Sequence, residues 1–368
     1  MEEKEKINSL QVGLLTLFLI KAPGVSTGLN DIAERAHQDS WLSIIFGLII
    51  GLIPLTIYLF IAHKQKKVNI IALNEIIFGK WLGIGFNIIL IMAAFIVAIA
   101  ILWDFALFIS TVFLINTPTT IITFMFVALA VVTAIKGIEV ISRTACLLFL
   151  LYIFFHLAFV LGLLPYVEIN NIKPILENGF IPVIHGGLIF ISISILPIFL
   201  LLIIPLTKIT DIKKYNRSMI FFYLLSGLTI LNIIFLTISV LGINLIDLYH
   251  YPVFSAMKKI SFLNFIERIE GSVAIKWIFV QFITGTMAIY FIKEAIKTTF
   301  KIKKEKTIKI ITFLTGLIIL IIPNFIFPLN IKFQDWLFQY YGLLLSFCFF
   351  LIPLVIFIRL LFKIKKVI

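Results

Sequence analysis

The sequence predicts an all-α integral membrane protein of about ten transmembrane helices, in a 5+5 inverted-repeat transporter fold with discontinuous first and sixth helices. The first supporting observation is composition: of 368 residues, 61% are hydrophobic and 13% are charged, and the mean hydropathy is +1.15. A soluble domain is about half apolar and about a quarter charged, so we expect the bilayer to be the solvent for most of this chain. The formal net charge of +13 comes from short basic clusters between apolar runs, which indicates membrane orientation and not nucleic-acid binding.

The second observation is the spacing of the apolar runs, because a transmembrane helix needs roughly 20 apolar residues. Ten runs meet this requirement, and the longest connection, about 243–269, is too short for a soluble domain. We therefore interpret 1–368 as a single transmembrane domain, with repeat 1 at about 9–165 and repeat 2 at about 180–362. The predicted spans are 9–34, 41–62, 82–108, 119–138, 144–165, 180–205, 218–242, 270–297, 307–327 and 336–362.

The distribution of Lys and Arg predicts the orientation of these spans. Twenty-two of these residues lie at one set of helix ends and six at the opposite set. Because cytoplasmic loops carry the excess of Lys and Arg, an even number of spans with both termini in the cytoplasm fits the split. The N-terminal segment has no signal-peptide cleavage pattern, so the first apolar run is expected to be retained as a span.

The third observation is a pair of weak points, one in the first span and one in the sixth. In the first span, Pro23 removes a backbone donor and Gly24 tolerates unwound dihedrals, roughly 20 Å along the helix and so near the middle of the bilayer. The sixth span carries a Gly-Gly pair at 186–187, two serines at 192 and 194, and Pro197. Non-helical backbone at this depth is tolerated where protein or a water-filled cavity satisfies it.

The two weak points are five spans apart, as expected for inverted repeats with a substrate site at facing breaks. Free amide donors and helix N-termini there would hold a carboxylate, and freed carbonyls would hold an ammonium group or a cation. Each break alone is also compatible with a proline kink that has no function. The candidate ligand-binding residues at the two breaks are Ala22, Pro23, Gly24, Val25, Thr27, Ser192 and Ser194.

Charged and polar residues inside the spans add further candidates. Lys21 lies near the midplane, where a charge costs roughly 2.5–3.5 kcal/mol, so a partner is expected. Asp104 in the third span is the proposed counter-ion: the two side chains either form an ion pair or hold the two ends of a zwitterion. Thr284 in the eighth span is a candidate hydroxyl ligand, although a threonine commonly bonds back to its own helix. The histidines at 156 and 185 are candidates for proton coupling or, alternatively, hydrogen-bonded filler.

Signals of catalysis are absent from the sequence. It contains no GxxxxGK[ST], HExxH, paired CxxC or GxSxG pattern, and its five histidines are scattered. Cys146 and Cys348 both lie in apolar runs and form neither a disulfide framework nor a metal box. We therefore predict no enzyme activity, no catalytic residue, no metal site and no cofactor.

Several short stretches carry a resemblance to a known family, in their order and spacing along nearly the whole chain. They are Ile7-Asn8-Ser9-Leu10-Gln11, Asn116-Thr117-Pro118, Lys136-Gly137-Ile138-Glu139-Val140-Ile141-Ser142-Arg143-Thr144-Ala145, Tyr251-Pro252-Val253-Phe254-Ser255-Ala256, Phe265-Ile266-Glu267-Arg268-Ile269-Glu270 and Trp277. With these stretches the chain resembles the endospore germination permeases, the B-type integral-membrane subunits of germinant receptors within the amino acid–polyamine–organocation superfamily. It departs from them in the sixth span, where the family often has a glycine with a nearby carboxylate and this chain has Ser194-Ile195-Leu196-Pro197. Ligand preference therefore does not transfer.

The resemblance implies a function in sensing. Members of the family recognise small nutrient germinants, often amino acids, in the spore inner membrane, together with an A-type subunit and a lipoprotein C-type subunit. The expected partners are accordingly a small-molecule germinant, A-type and C-type subunits and membrane lipid, with no nucleic acid. A proton- or sodium-coupled amino-acid permease is the alternative, and a scaffold that only anchors its partners is a third interpretation.

Overall fold

The predicted all-α class is confirmed. The computed structural model describes residues 5–22, 27–64, 66–246, 248–260, 270–326 and 340–362, and within these ranges it holds no strand beyond an isolated bridge between Ile7 and Ile209. The α-helices are α1 Ser9–Lys21, α2 Thr27–Ala36, α3 Ser40–Ile50, α4 Leu52–Lys64, α5 Ile70–Phe78, α6 Lys80–Val112, α7 Thr119–Lys136, α8 Ile138–Leu163, α9 Ile181–Phe190, α10 Tyr215–Leu241, α11 Ile243–Ile246, α12 Pro252–Met257, α13 Gly271–Thr299, α14 Glu305–Ile321 and α15 Ile352–Phe362.

The helices agree with the predicted spans. Nine helices of the described residues are long and apolar enough to cross a membrane, and the shorter apolar helix α1 accounts for most of the remaining span. The first predicted span corresponds to α1 and α2, the second to α3 and α4, and the last to the helical stretch Tyr340–Phe362. The division into two inverted repeats stays a prediction.

The first helix is interrupted where the sequence predicts. Helix α1 begins with a capping box, in which Asn8 Oδ1 accepts a hydrogen bond from Gln11 N and Gln11 Oε1 accepts one from Asn8 N, each at 2.8 Å. It ends at Lys21, and α2 begins at Thr27. Every residue of α1 from Val12 to Lys21 is buried. An α-helix therefore ends in the interior of the bundle.

The sixth span differs from the expectation of a break with free helix termini, because it stays helical from Ile181 to Ile203. Its winding changes instead: α9 continues as a π-helix at Ile191–Ile195 and then as a 3₁₀-helix at Leu196–Ile203. Pro197 explains the change, since its ring and missing N–H disturb the α-helical ladder in the preceding turn, and a wider turn relieves the conflict. The last span also has a π-helix before a proline, at Phe347–Leu351 with Pro353 two residues later, but it then continues as an α-helix.

The N-terminal segment is held against the connection that follows the sixth span. Ile7 N donates to Lys208 O and Thr210 N donates to Ile7 O, both at 3.0 Å. Ser9 N donates to Asp211 Oδ1 at 2.6 Å, so the carboxylate binds a free amide at the start of α1. Burial raises the pKa of the Asp211 carboxyl, but the hydrogen bonds from Ser9, a hydrogen bond from the backbone of Asp211 and the charge of Lys214 together outweigh burial and leave that pKa lowered. From this anchor α1 runs inward, packed against α8, α10 and α13.

A close approach of two helices depends on one glycine. Gly83 in α6 faces the backbone of α5, and a Cβ at this position would lie 2.6 Å from Glu75 Cα and 2.8 Å from Glu75 N. The contact brings two buried side chains together, because Asn74 Nδ2 donates to Asn87 Oδ1 at 2.8 Å. Gly85, two residues further along α6, has no atom within 4 Å of an added Cβ.

We expect Gly83→Ala to lower the free energy of unfolding by about 1–3 kcal/mol, because α5 must move away from α6. Gly85→Ala is the matched control, and we expect it to be neutral or to stabilise by up to about 1 kcal/mol through helix propensity. Unfolding of the purified protein in detergent, followed by tryptophan fluorescence, measures both variants. Equal stabilities for the two variants would contradict this packing.

Candidate ligand-binding site

The site is built around the buried end of α1. Lys21, the last residue of this helix, is 0% exposed. Its Nζ donates a hydrogen bond to the hydroxyl of Tyr152 in α8 at 2.7 Å and another to Oγ1 of Thr229 in α10. The same Nζ lies 4.6 Å from the centroid of the Tyr152 ring. Lys21 therefore ties the end of the broken helix to two neighbouring helices.

Hydroxyl groups of two other helices bind carbonyls near the end of α1. Thr284 Oγ1 in α13 donates to Phe18 O at 3.1 Å, and Ser226 Oγ in α10 donates to Leu17 O at 3.2 Å. Phe18 is among the last four residues of the helix, whose carbonyls have no partner within an α-helix. Thr284 thus bonds to the first span and not to its own helix. Thr284 therefore lies near the break in the first span, where the sequence predicts the ligand-binding site.

A second buried lysine packs against the same face of α8 as Lys21. Lys276 in α13 is 3% exposed, and its Nζ lies 4.1 Å from the centroid of the Phe159 ring in α8. That Nζ has no hydrogen-bond partner among the described residues.

One face of α8 lines this region. Its residues 152, 156 and 159 are spaced to share a helix face, and the His156 ring stacks between those of Tyr152 and Phe159, with centroids 5.9 and 6.3 Å away. His156 Nδ1 has no hydrogen-bond partner among the described residues. We call the whole group the lysine cluster; its members are Lys21, Tyr152, His156, Phe159, Thr229 and Lys276.

The direct ion pair of Lys21 with Asp104 is not formed. The ion pairs between described residues do not include it, and Lys21 uses hydroxyl partners instead. Asp104 is buried in α6 and acts electrostatically on Tyr251, whose hydroxyl has a pKa raised by burial and by this carboxylate. The other arrangement, in which the two charges hold a zwitterion, stays a hypothesis.

The remaining candidates lie at different places. Ser192 lines a cavity of about 880 Å³ between α2, the π turn of the sixth span and the last span, and its Oγ donates to Ile189 O at 2.8 Å. Ser194 is fully buried, and its Oγ has no hydrogen-bond partner among the described residues.

Ala22 is buried beside Lys21. Pro23, Gly24 and Val25 lie outside the described residues, as does the side chain of Thr27.

Four members of the lysine cluster were missed by sequence reasoning. Lys276 had a visible signal, since it is a lysine within the eighth apolar span, six residues after the predicted start of that span at 270. Tyr152, Phe159 and Thr229 had none, because hydroxyl and aromatic residues are common in transmembrane helices and only the fold brings these three to the lysines. His185 is exposed on α9 and does not belong to the cluster.

In the part of the chain that the structure describes, no group of three or more His, Cys, Asp or Glu residues could hold a metal.

These features define a multi-pass helical membrane protein with a first helix broken at a buried polar site. The spore permease family, described as "Spore germination protein", matches residues 6–326, and the chain therefore belongs to this family. Spore germination protein KB of Bacillus subtilis (strain 168) is 25% identical over 325 residues, which is 87% of this chain and 85% of that protein. Spore germination protein YndE of the same strain is 28% identical over 190 residues, 49% of this chain and 50% of that protein. Spore germination protein XB of Bacillus anthracis is 24% identical over 323 residues, 86% and 88% of the two chains.

The hydrogen bond from Thr284 to α1 can be tested by comparing Thr284 with Thr286, a second buried threonine on the same helix. We expect Thr284→Val to destabilise the protein by about 1–3 kcal/mol, because Phe18 O loses a donor in the interior. Thr286→Val is the control: Thr286 is also 0% exposed, but its Oγ1 has no hydrogen-bond partner among the described residues. Its replacement should leave stability unchanged or raise it. Thermal unfolding in detergent compares the two, and a Thr286→Val variant that loses as much stability as Thr284→Val would contradict the role of this bond.

Proposed function

We propose that the chain is the membrane subunit of a spore germinant receptor, which binds a small nutrient germinant, an amino acid, and triggers germination. The observation that carries the proposal is the interior end of α1 at Lys21, where a polar site is built from four helices inside an apolar bundle. Membership of the spore germination family supports the physiological context. The ligand would lie beside the first break, with Lys21, Ala22 and Thr284 at its edge and Pro23, Gly24, Val25 and Thr27 completing it.

The other proposed ligand-binding residues define the extent of the pocket. Asp104 would hold the amino group of a zwitterion, and Ser192 and Ser194 would contribute from the π turn of the sixth span. Ser192 supports this extension because it lines the cavity beside α2, the helix that follows the first break. Binding would favour one conformation of the helices, which requires a difference in affinity between two conformations.

The setting of the receptor is part of the proposal. A-type and C-type receptor subunits would receive the conformational change, and the chain would lie in the spore inner membrane with both termini in the cytoplasm. The excess of Lys and Arg at one set of helix ends supports that orientation. The exposed apolar side chains, such as Leu147, Leu150 and Phe154 along α8, support contact with lipid.

Germination and uptake assays test the proposal. We expect spores that lack this chain to lose germination on one class of nutrient while uptake of that nutrient by vesicles is unaffected. Lys21→Ala should weaken the nutrient response roughly ten- to a hundredfold, since a hydrogen bond to a charged group is worth about 1.5–3 kcal/mol. Lys80→Ala, at an exposed position at the start of α6, is the control.

Two results would contradict the receptor. If spores that lack the chain germinate normally on every nutrient, the chain has no role in sensing. Concentrative uptake of a labelled amino acid by vesicles that contain this chain alone would favour the proton- or sodium-coupled permease instead.

A further inference from the structure

We propose that a second cavity, at the end of the bundle that carries the excess of Lys and Arg, binds a phosphate group, with Lys297 and Lys303 as its direct contacts. The phosphate would belong to the headgroup of an anionic lipid or to a soluble molecule. The inference goes beyond the proposed function and does not depend on it. The described residues that line this cavity include no member of the lysine cluster.

The cavity has a volume of about 880 Å³ and lies between segments from distant parts of the chain. Its walls come from the N-terminal segment at Glu5, the connection 205–208, the end of α13 and the first turns of α14. Two of the polar side chains in these walls are buried, since Lys293 is 6% and Thr312 is 0% exposed. The cavity therefore reaches into the packing of the helices.

The charge of the described lining is positive by two, because five lysines and three glutamates line the cavity. Each glutamate already has a lysine partner. The pairs are Lys208–Glu5 at 3.0 Å, Lys293–Glu294 at 3.3 Å and Lys309–Glu305 at 2.8 Å. The other two lysines, Lys297 and Lys303, take part in none of the ion pairs between described residues. These two amines therefore provide the excess charge.

A backbone turn connects the two lysines that have no ion pair. Ile302 N donates to Lys297 O at 3.0 Å, so the chain folds back on the end of α13 just before Lys303. Lys297 also lies one helical turn after Lys293 on α13, and the two share a face of that helix. Three amines carried by this short stretch of backbone therefore line one space.

A phosphate group matches the charge of this space. A phosphate monoester carries about −1.5 to −2 charges at neutral pH, and its oxygens accept hydrogen bonds from several lysines at once. A single carboxylate would neutralise only one of the two excess charges. Phosphate therefore fits the cavity better than the carboxylate of an amino acid does.

The surroundings of the cavity also allow a lipid to reach it. Basic pockets between transmembrane helices at the cytoplasmic side bind the headgroups of anionic lipids. Ile310 and Phe313 of α14 are exposed apolar side chains, and each directly follows a residue that lines the cavity. A lipid could place its acyl chains along this surface while its phosphate enters the cavity.

Thermal unfolding of the purified full chain in a neutral detergent tests the site. Sodium phosphate is compared with sodium chloride at equal ionic strength, and micelles that contain phosphatidic acid are compared with micelles that contain phosphatidylcholine. We expect at least one of the two phosphate probes to raise the Tm in a saturable manner and by more than its comparison. Replacing both contacts, Lys297→Gln with Lys303→Gln, should weaken the apparent affinity at least about tenfold, because two charged hydrogen-bond donors are lost.

Lys306→Gln is the matched control, because Lys306 is exposed in the same lysine-rich stretch and is not among the residues that line the cavity. It should leave the response unchanged. An undiminished response in the double variant, or an equal loss in Lys306→Gln, would overturn the site. The absence of a saturable response to both probes would do the same. If the double variant does not fold, Lys303→Gln alone makes the comparison, since it changes an exposed side chain.

The two probes also distinguish the sources of the phosphate. A response to phosphatidic acid alone that depends on the two lysines identifies a lipid headgroup, and the same dependence with sodium phosphate identifies a soluble phosphate. Glu2 and Glu3 precede the cavity residue Glu5 and lie outside the described residues, so the titrations are repeated with Glu2→Gln and Glu3→Gln together. A response confined to that variant would overturn the proposal, because carboxylates of the chain itself would then fill the cavity in the unmodified protein.

Discussion

The structure depends on one constraint, namely that a helix ending inside a membrane protein must find partners for its terminal backbone groups within the protein. No water in the hydrocarbon region replaces them. At the end of α1, one of these backbone groups is satisfied from α13, where Thr284 Oγ1 donates to Phe18 O. The side chain of Lys21, the last residue of the helix, donates to Tyr152 of α8 and Thr229 of α10. Together these bonds join the end of α1 to three surrounding helices.

The sixth span responds to a similar disturbance in a different way. Pro197 changes its winding from α through π to 3₁₀ without unwinding it, and Ser192 Oγ in the π turn is bonded to Ile189 O of the preceding turn. A helix that stays wound presents no free terminal amides to a ligand. The first and sixth spans therefore differ at the positions where repeat symmetry would make them alike.

The sequence predicted the features that depend on composition and length, and it failed where packing across helices decides. The spans and the end of α1 near Pro23 follow from hydropathy and backbone chemistry, which act locally. The prediction of a direct ion pair between Lys21 and Asp104 was wrong. The sequence gives the depth of each residue in its span, but it does not give the side of the helix that the residue faces. Lys276 was recognisable as a lysine in an apolar run, but its position against the face of α8 that also contacts Lys21 depends on the packing of α1 and α13 against α8.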